Sequence, residues 1–580
     1  MARSRAEMLA QLAAEPLVQA VVIGGGINGI SAFRELSLQG VRVLLVERGD
    51  FCGACSSAPS RMIHGGLRYL ENGELSLVRE ALRERDALLH NAPHLVHPLP
   101  TTVPIRRVFS GLLNAASKAL GFAGRPAERG ALAVKLGLSF YDFLARRHSD
   151  LPGHSFRNRR QTLERWPGLM PSLAYSATYY DAWISHPERL GIELIEDGLA
   201  ANDAALALNY AEVSRTAGGG LAILDKLSGA MMQVETSLVI NATGAWLDKT
   251  NSGLFDSRET PPRLVGGTKG SHLIIDHPEL LKALDGHMIY FENLDGRVCI
   301  LFPYLGKVLL GSTDIRVDDP SDARCEDEEV AYMLRSLSHV FPGIAVGPES
   351  ILYRFSGVRP LPHSTERFTG RVSRDHVVRN LGGTPPVLCM IGGKWTTFRA
   401  FGAQCADAAL ALLGVERRTD SRCRPIGGGD AFPLGAEGQA AFAESLRQRF
   451  DISAERVAHA VAHYGSGAAK VLQFCADAGA DAALAEGCSY SEAELRYLIR
   501  SEYVCELSDL LQRRTSLAIT GEISSSIVSR AAALLAEELG WSSTETAAAE
   551  LRFRDLLARR HGVTADLLSQ RDKEGARQCA

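Results

Sequence analysis

Apolar and polar positions along the chain fall into stretches of different period. Gln19 to Ile23 is a short apolar run that stops at Gly24, Gly25 and Gly26. From Ile27 to Leu38 apolar positions recur at helical spacing, and Val41 to Val46 is a second, β-branched run closed by Glu47. The pattern predicts strand, tight turn, helix, strand, which is a βαβ unit. Residues 75–90 keep apolar side chains on one helical face until Pro93 stops them, and 108–147 read as two helical pieces broken around Gly124 to Pro126. Strand-like runs follow at 221–224, 236–240, 272–275, 298–303 and 308–311, and Met390 to Arg399 repeats the succession of apolar run, glycine pair and helix start. Residues 417–429 are polar and glycine-rich, as a linker would be; from 436 to 560 Ala and Leu recur at helical spacing. The expected architecture is a mixed α/β body with excursions, followed by an α-helical tail domain.

Composition narrows the function classes. At 580 residues the chain is too long for one core, and 46% hydrophobic with 22% charged residues fits a globular protein of two or three domains. A formal net charge of −4 gives no support to a nucleic-acid partner, although 104–148 hold many Arg and Lys. The 11 cysteines show no zinc-type double pair, so no metal site is expected; the close pair Cys52 and Cys55 reads as free thiols of a reducing cytoplasm. The first residues carry Arg3, Arg5, Glu7 and Glu15 rather than a signal peptide's apolar stretch, and no run is long enough to span a bilayer.

Gly24-x-Gly26-x-x-Gly29 then carries a specific chemistry. Gly24 permits the tight turn, Gly26 leaves room for a pyrophosphate against the backbone, and Gly29 lets helix and strand pack closely. The helix N-terminus turns unpaired N–H groups and the positive end of its dipole toward the phosphates. Glu47, at the end of the second strand, can accept hydrogen bonds from a ribose. This fingerprint does not choose between NAD and FAD, but the small-residue segment that follows, FCGACSSAPSRMIHGGLRYL at 51–70, is of the kind that lines a flavin.

At that segment the sequence resembles the FAD-dependent glycerol-3-phosphate dehydrogenases of the D-amino-acid-oxidase-like fold. The resemblance runs through IGGGINGI at 23–30, SSAPSRMIHGGLRYL at 56–70, NATGAW at 241–246, TKGSHLII at 268–275, FPYLGKVLLGSTD at 302–314, SGVRPL at 356–361, SRDH at 373–376 and GGKWTTFR at 392–399. It continues in YGSGAAKVL at 464–472 and ELSDLLQRR at 506–514. It implies a Rossmann-like FAD-binding domain (16–105, 191–265 and 355–415), an interleaved antiparallel-sheet substrate or cap domain (106–190 and 266–354) and a helical C-terminal domain (430–562). FAD would be held by Gly24, Gly26, Asn28, Gly29, Glu47, Ser56, Ser57, Ser60, His64, Gly65, Gly66, Gly244, Thr313, Gly393, Lys394 and Thr396. Arg68, Tyr69 and Arg374 would bind substrate, and His272, Arg359 and Lys394 would be catalytic.

The chemistry agrees with that assignment. A phosphomonoester carries close to two negative charges, which Arg reads bidentately. Oxidising a secondary alcohol needs a base for the hydroxyl proton, for which His suits neutral pH, and a cation beside the alkoxide. The expected function is oxidation of sn-glycerol 3-phosphate to dihydroxyacetone phosphate by hydride transfer to flavin N5, with quinone as acceptor. The alternatives are a dehydrogenase or oxidase of another polyol phosphate, a non-catalytic flavin-binding interaction module, and an amine or amino-acid oxidase. Three departures from the family pattern stand out. ISHPERL at 184–190 would place His186 in a position to read a different hydroxyl pattern if it bordered the substrate. Cys55 precedes Ser56 where Thr is usual. The stretch 106–147 mixes Phe109, Leu112, Leu113, Leu120 and Phe122 with Arg106, Arg107 and Lys118, as a helix in a membrane interface would. A cytoplasmic protein with peripheral membrane contact, and a homodimer, are the corresponding expectations.

Overall fold

The computed structural model describes residues 3–66, 74–107, 131–145, 151–216, 218–255, 261–293, 295–364, 375–479 and 481–578. Two sheets share the body. The first has eight strands, and its centre is parallel: Val387–Ile391, Met231–Asn241, Leu17–Ile23, Val43–Val46 and Leu206–Leu208 lie side by side in that order. A parallel sheet is covered on both faces, which is why the middle strands read as continuous apolar runs; Val43–Val46 is buried at every position. Helix Ile27–Leu38 packs between Pro187–Ala201 and Phe398–Leu413 at glycine distances. A Cβ on Gly198 would lie 2.8 Å from the Phe33 ring, and one on Gly402 would lie 2.1 Å from Ser31 Oγ.

The second sheet has ten strands and is antiparallel except where Met288–Glu292 runs parallel to Val96–Ile105. Its longest pairings join Val265–Ile275 to Ile351–Pro362 and Val96–Ile105 to Tyr175–Ile184. Alternate residues point to opposite faces. Leu273, Ile275, Leu301 and Leu310 pack under Met333 and Leu337 of helix Asp327–Val340, whereas Ile274, Phe302, Leu309 and Phe355 join the core of the C-terminal helices. Both faces are therefore covered, one by the domain's own helix and the other by the tail domain.

Some boundaries differ from those the sequence suggested. Val96–Ile105, expected with the nucleotide-binding unit, is a strand of the second sheet, because its pairing partner Tyr175–Ile184 belongs there. The helical domain extends past 562 through Ala565–Gln578. The polar linker is not loose: Arg417 bridges Glu35 and Asp407 at 2.9 and 2.6 Å, and Gln39 accepts the backbone N–H groups of Arg418 and Thr419. Of the helical stretch 108–147, helix Ala131–Ala145 is observed and 108–130 lie outside the described residues. No helix among the described residues is long and apolar enough to cross a membrane.

The tail domain docks through ions. Asp50, just past the Val43–Val46 strand, accepts both Arg514 Nη atoms at 2.8 Å and Arg513 Nε at 2.5 Å, Arg189 pairs with Glu502, and Tyr503 donates to Glu196. The segment Asp509–Arg514 thereby lies against the end of the first sheet.

Candidate active site

A cleft of about 830 Å³ runs from the end of the first sheet to the second, within the range of small-molecule and cofactor sites. At one end the glycine turn meets it. Gly24 adopts φ +109, and a Cβ there would sit 2.7 Å from Ala242 O. A Cβ on Gly29 would lie 1.9 Å from Gly24 O. Helix Ile27–Leu38 starts at Gly26, and the N–H of Ile27 donates to Ser56 Oγ at 2.9 Å. Glu47 accepts the N–H groups of Gly25 and Gly49 at 2.7 and 2.9 Å, and burial raises its carboxyl above the usual range. Each oxygen keeps acceptor capacity for a hydroxyl.

The second glycine turn closes on the first. Gly392 and Gly393 have φ +81 and +94, Asn28 Nδ2 donates to Gly392 O at 3.1 Å, and a Cβ on Gly393 would meet that amide at 2.4 Å. Asn28 Oδ1 has no hydrogen-bond partner among the described residues. Lys394 and Thr396 continue the wall, and Thr396 Oγ1 accepts the N–H of His64 at 3.2 Å.

The far end is built on the second sheet. His272 lies flat on Phe355, ring centroids 5.0 Å apart at 16°. It crosses the neighbouring strand at Gly311, where a Cβ would lie 2.1 Å from the ring. Arg359 crosses Gly270 in the same way, with 2.1 Å between a Cβ there and its guanidinium. Arg359 donates to Ser312 Oγ at 3.2 Å and Asp314 Oδ1 at 3.3 Å. Neither ring nitrogen of the buried His272 has a partner among the described residues. Burial, then Arg359 and Arg61, push its imidazole down to about 3, so it is neutral.

Of the residues expected at the site, the cleft brings together Gly24, Gly26, Asn28, Glu47, Ser56, Ser60, His64, Gly244, His272, Arg359, Gly393, Lys394 and Thr396. Gly29, Ser57, Gly65, Gly66 and Thr313 do not line it. Gly29 is packing. Ser57 Oγ donates to Ala54 O. Gly65 donates its N–H to buried Asp181 at 2.8 Å and abuts Tyr141, whose hydroxyl a Cβ would meet at 2.0 Å; Gly66 follows with φ +82. Thr313 Oγ1 donates to Glu329 at 2.6 Å. Arg68, Tyr69 and Arg374 lie outside the described residues. Cys55 lines the cleft as a thiol whose pKa burial raises, the reverse of activation. His186 does not border the cleft: its ring packs edge-on against His463 of the tail domain, centroids 4.6 Å apart, and Glu188 pairs with Arg61 at 3.0 Å. ISHPERL is thus a docking segment.

Several lining residues escaped the sequence reading. Trp246 carries Arg48 over its ring at 4.8 Å. Arg513 and Arg560 reach the cleft from the tail domain. The GAW turn gave a signal for Trp246 and Arg513 sits in the ELSDLLQRR motif, but nothing local marks Arg560.

The parallel sheet, the paired glycine turns and the buried acid at the end of the second strand define a dinucleotide-binding fold. Residues 19–399 match the family described as FAD dependent oxidoreductase, and 420–546 match the C-terminal domain of alpha-glycerophosphate oxidase. A glycerol-3-phosphate dehydrogenase of Synechocystis sp. is 31% identical over 557 residues, 90% of this chain and 93% of that protein. A D-erythritol 1-phosphate dehydrogenase of Brucella abortus is 31% identical over 507 residues, 85% of this chain and 93% of that protein. The fold matches that of the glycerol-3-phosphate dehydrogenase from Bacillus halodurans, solved with FAD, at TM-score 0.74 and 22% identity, over 96% of this chain and 97% of that one. The chain belongs to the FAD-dependent glycerol-3-phosphate dehydrogenase family. Its cofactor is FAD, and the residues present fit it: Gly26 bares the start of helix Ile27–Leu38 to the cleft, and Asn28 Oδ1 is an acceptor without a partner among the described residues.

Proposed function

We propose that this enzyme oxidises the secondary alcohol of a short polyol phosphate, sn-glycerol 3-phosphate first, to the ketose phosphate. The observation that carries the reading is a buried, neutral histidine whose ring nitrogens have no partner among the described residues, set in the same cleft as Arg359, Lys394 and the nucleotide turn. FAD, when bound, supplies the hydride acceptor at its N5. The chain's own residues do the rest. Arg359 holds the phosphate and orients the carbinol; Arg68, Tyr69 and Arg374 belong to the same proposal through their motifs. A His272 ring nitrogen receives the hydroxyl proton, and Lys394 stabilises the developing alkoxide.

The Brucella relative, at the same 31% identity as the Synechocystis one over a shorter stretch, supports a second reading in which a four-carbon polyol phosphate is oxidised. With His186 away from the cleft, the ISHPERL departure no longer favours that reading. Quinone as the electron acceptor belongs to the same proposal, and a peripheral membrane contact is supported by helix Ala131–Ala145. It buries Leu138 and Tyr141 and exposes Leu132, Leu136, Phe140 and Phe143 on its other side, an apolar face suited to a lipid interface.

Anaerobic mixing with sn-glycerol 3-phosphate tests the substrate, because oxidised flavin absorbs near ~450 nm and reports its own reduction. Bleaching is expected. Bleaching by D-erythritol 1-phosphate but not by the three-carbon substrate would select the second reading. Liposome flotation of wild type against Leu136→Gln/Phe143→Gln tests the membrane contact. Equal recovery of both folded proteins in the unbound fraction would remove it.

A further inference from the structure

Behind the substrate end of the cleft lies a buried carboxylate that touches no ligand-facing surface. Glu329, near the start of helix Asp327–Val340, is 4% exposed and is not part of the cleft wall. Its Oε1 accepts from Thr313 Oγ1 at 2.6 Å and Ser271 Oγ at 2.8 Å; its Oε2 pairs with Lys269 Nζ at 2.7 Å and accepts the Glu326 N–H at 3.0 Å. Burial works against the charge, but the bonds from Lys269 and Thr313 outweigh it and hold the carboxyl below its usual range.

These partners flank the residues that face the cleft. Ser271 precedes His272, and its Oγ shares a 2.7 Å hydrogen bond with that of Ser356, which follows the Phe355 ring under the imidazole. The Ser271 N–H donates to Thr313 Oγ1 at 3.0 Å, tying the strand of His272 to the Ser312–Thr313–Asp314 turn. All three residues of that turn take hydrogen bonds from Arg359, at Ser312 Oγ, Thr313 O and Asp314 Oδ1. A buried ammonium–carboxylate pair is a poor device for stability alone, since an apolar pair of similar volume often serves as well. Here the carboxylate's other side-chain bonds, from Ser271 and Thr313, run to the shell of the site, while Lys269 is anchored on Arg324 O at 2.8 Å.

We propose that Glu329 is a positioning residue for substrate oxidation: one buried carboxylate fixes together the strand that carries His272 and the turn that orients Arg359. The inference rests on the reading that His272 takes the substrate proton and Arg359 holds the phosphate. Its consequence is selective. Loosening the hub misplaces base and phosphate holder relative to each other and leaves the nucleotide turn untouched.

The test is stopped-flow reduction of FAD-loaded Glu329→Gln and Thr313→Val by sn-glycerol 3-phosphate, followed by reoxidation with ferricyanide. Thr313→Val removes one hydroxyl and leaves the ion pair, so it decides the matter if Glu329→Gln does not fold. In Glu329→Gln the limiting reduction rate divided by the dissociation constant falls about 10²-fold, the cost of a misplacement of about 1 Å. In Thr313→Val, which loses both the bond to Glu329 and the bond from the Ser271 N–H, it falls at least about tenfold. The dissociation constant rises while flavin content and reoxidation hold, a split that general destabilisation would not produce. Wild-type reduction matched by both folded variants overturns the positioning role alone. A wild type reduced by no polyol phosphate overturns the underlying reading and the inference with it.

Discussion

Around the first glycine turn the cleft wall is largely main-chain: Gly24, whose neighbours leave no room for a Cβ, Gly26, and the start of helix Ile27–Leu38. On the second sheet the facing groups are long side chains, His272 and Arg359, each laid across a glycine; His272 rests on the Phe355 ring, and Arg359 is held by hydrogen bonds to the Ser312–Asp314 turn. The first arrangement can be specified by a few consecutive residues. The second needs a folded sheet before any of its parts means anything. The two halves should therefore fail differently: damage at the turn loses the cofactor, and damage on the sheet loses the chemistry with the cofactor still bound.

The largest effect is expected at Gly29. A Cβ there must displace Gly24 O, 1.9 Å away, and a backbone oxygen cannot swing aside as a side chain can. Gly29→Ala should purify nearly free of flavin, read as flavin absorbance per protein after desalting. Full flavin content would dissolve the distinction between the halves.

His272→Ala should do the opposite. Loss of a general base lowers the reduction rate by about 10²–10⁴-fold, with flavin content as in wild type. Gly311→Ala sharpens this without touching a functional group. A Cβ 2.1 Å from the His272 ring forces the imidazole off Phe355, and a shift of that size should cost about 10² in reduction rate. Normal rates in Gly311→Ala would show that the ring's place on the sheet is not what the reaction needs.

The same contrast explains what could be read in advance. The βαβ unit, Glu47, Gly393 and Lys394 sit in short motifs whose physics is local, and they fall on the cleft wall. His272 and Arg359 were legible only as members of resemblance motifs, since one histidine or arginine on a strand carries no chemistry by itself. Gly65, Gly66 and Thr313 do not line the cleft, and a motif does not say which way a residue faces: Gly65 serves Tyr141 and Asp181, and the Thr313 hydroxyl serves Glu329. Arg513 sat in a motif that did not tie it to the cleft, and Arg560 in none, because both arrive with the tail domain. Val96–Ile105 went to the wrong sheet because strand pairing is a long-range choice.

The smallest effect tests a third place, where burial keeps histidines neutral for docking rather than for chemistry. Desolvation at the tail-domain contact, then Arg61, push His186 down to about 3, and the His463 packed on it is lowered by burial and by His186 in turn. In the unfolded chain a histidine titrates near ~6.5, so below that pH the unfolded state binds a proton that the folded His186 refuses, and stability falls as pH falls. One pH unit below ~6.5 the loss is about 1.4 kcal/mol for each such histidine. Asp509 and Glu196, carboxyls raised to about 6 chiefly by burial, act the other way by taking up protons first in the folded state. The whole-protein slope therefore mixes signs, and a difference measurement isolates the histidine. Urea unfolding of wild type and His186→Asn at pH 7.5 and 5.5 should show the variant losing about 1.4 kcal/mol less between the two. The flavin spectrum should stay unchanged, because His186 lies outside the cleft. Equal losses would mean that His186 becomes charged where it stands, and that its contact with His463 tolerates the charge.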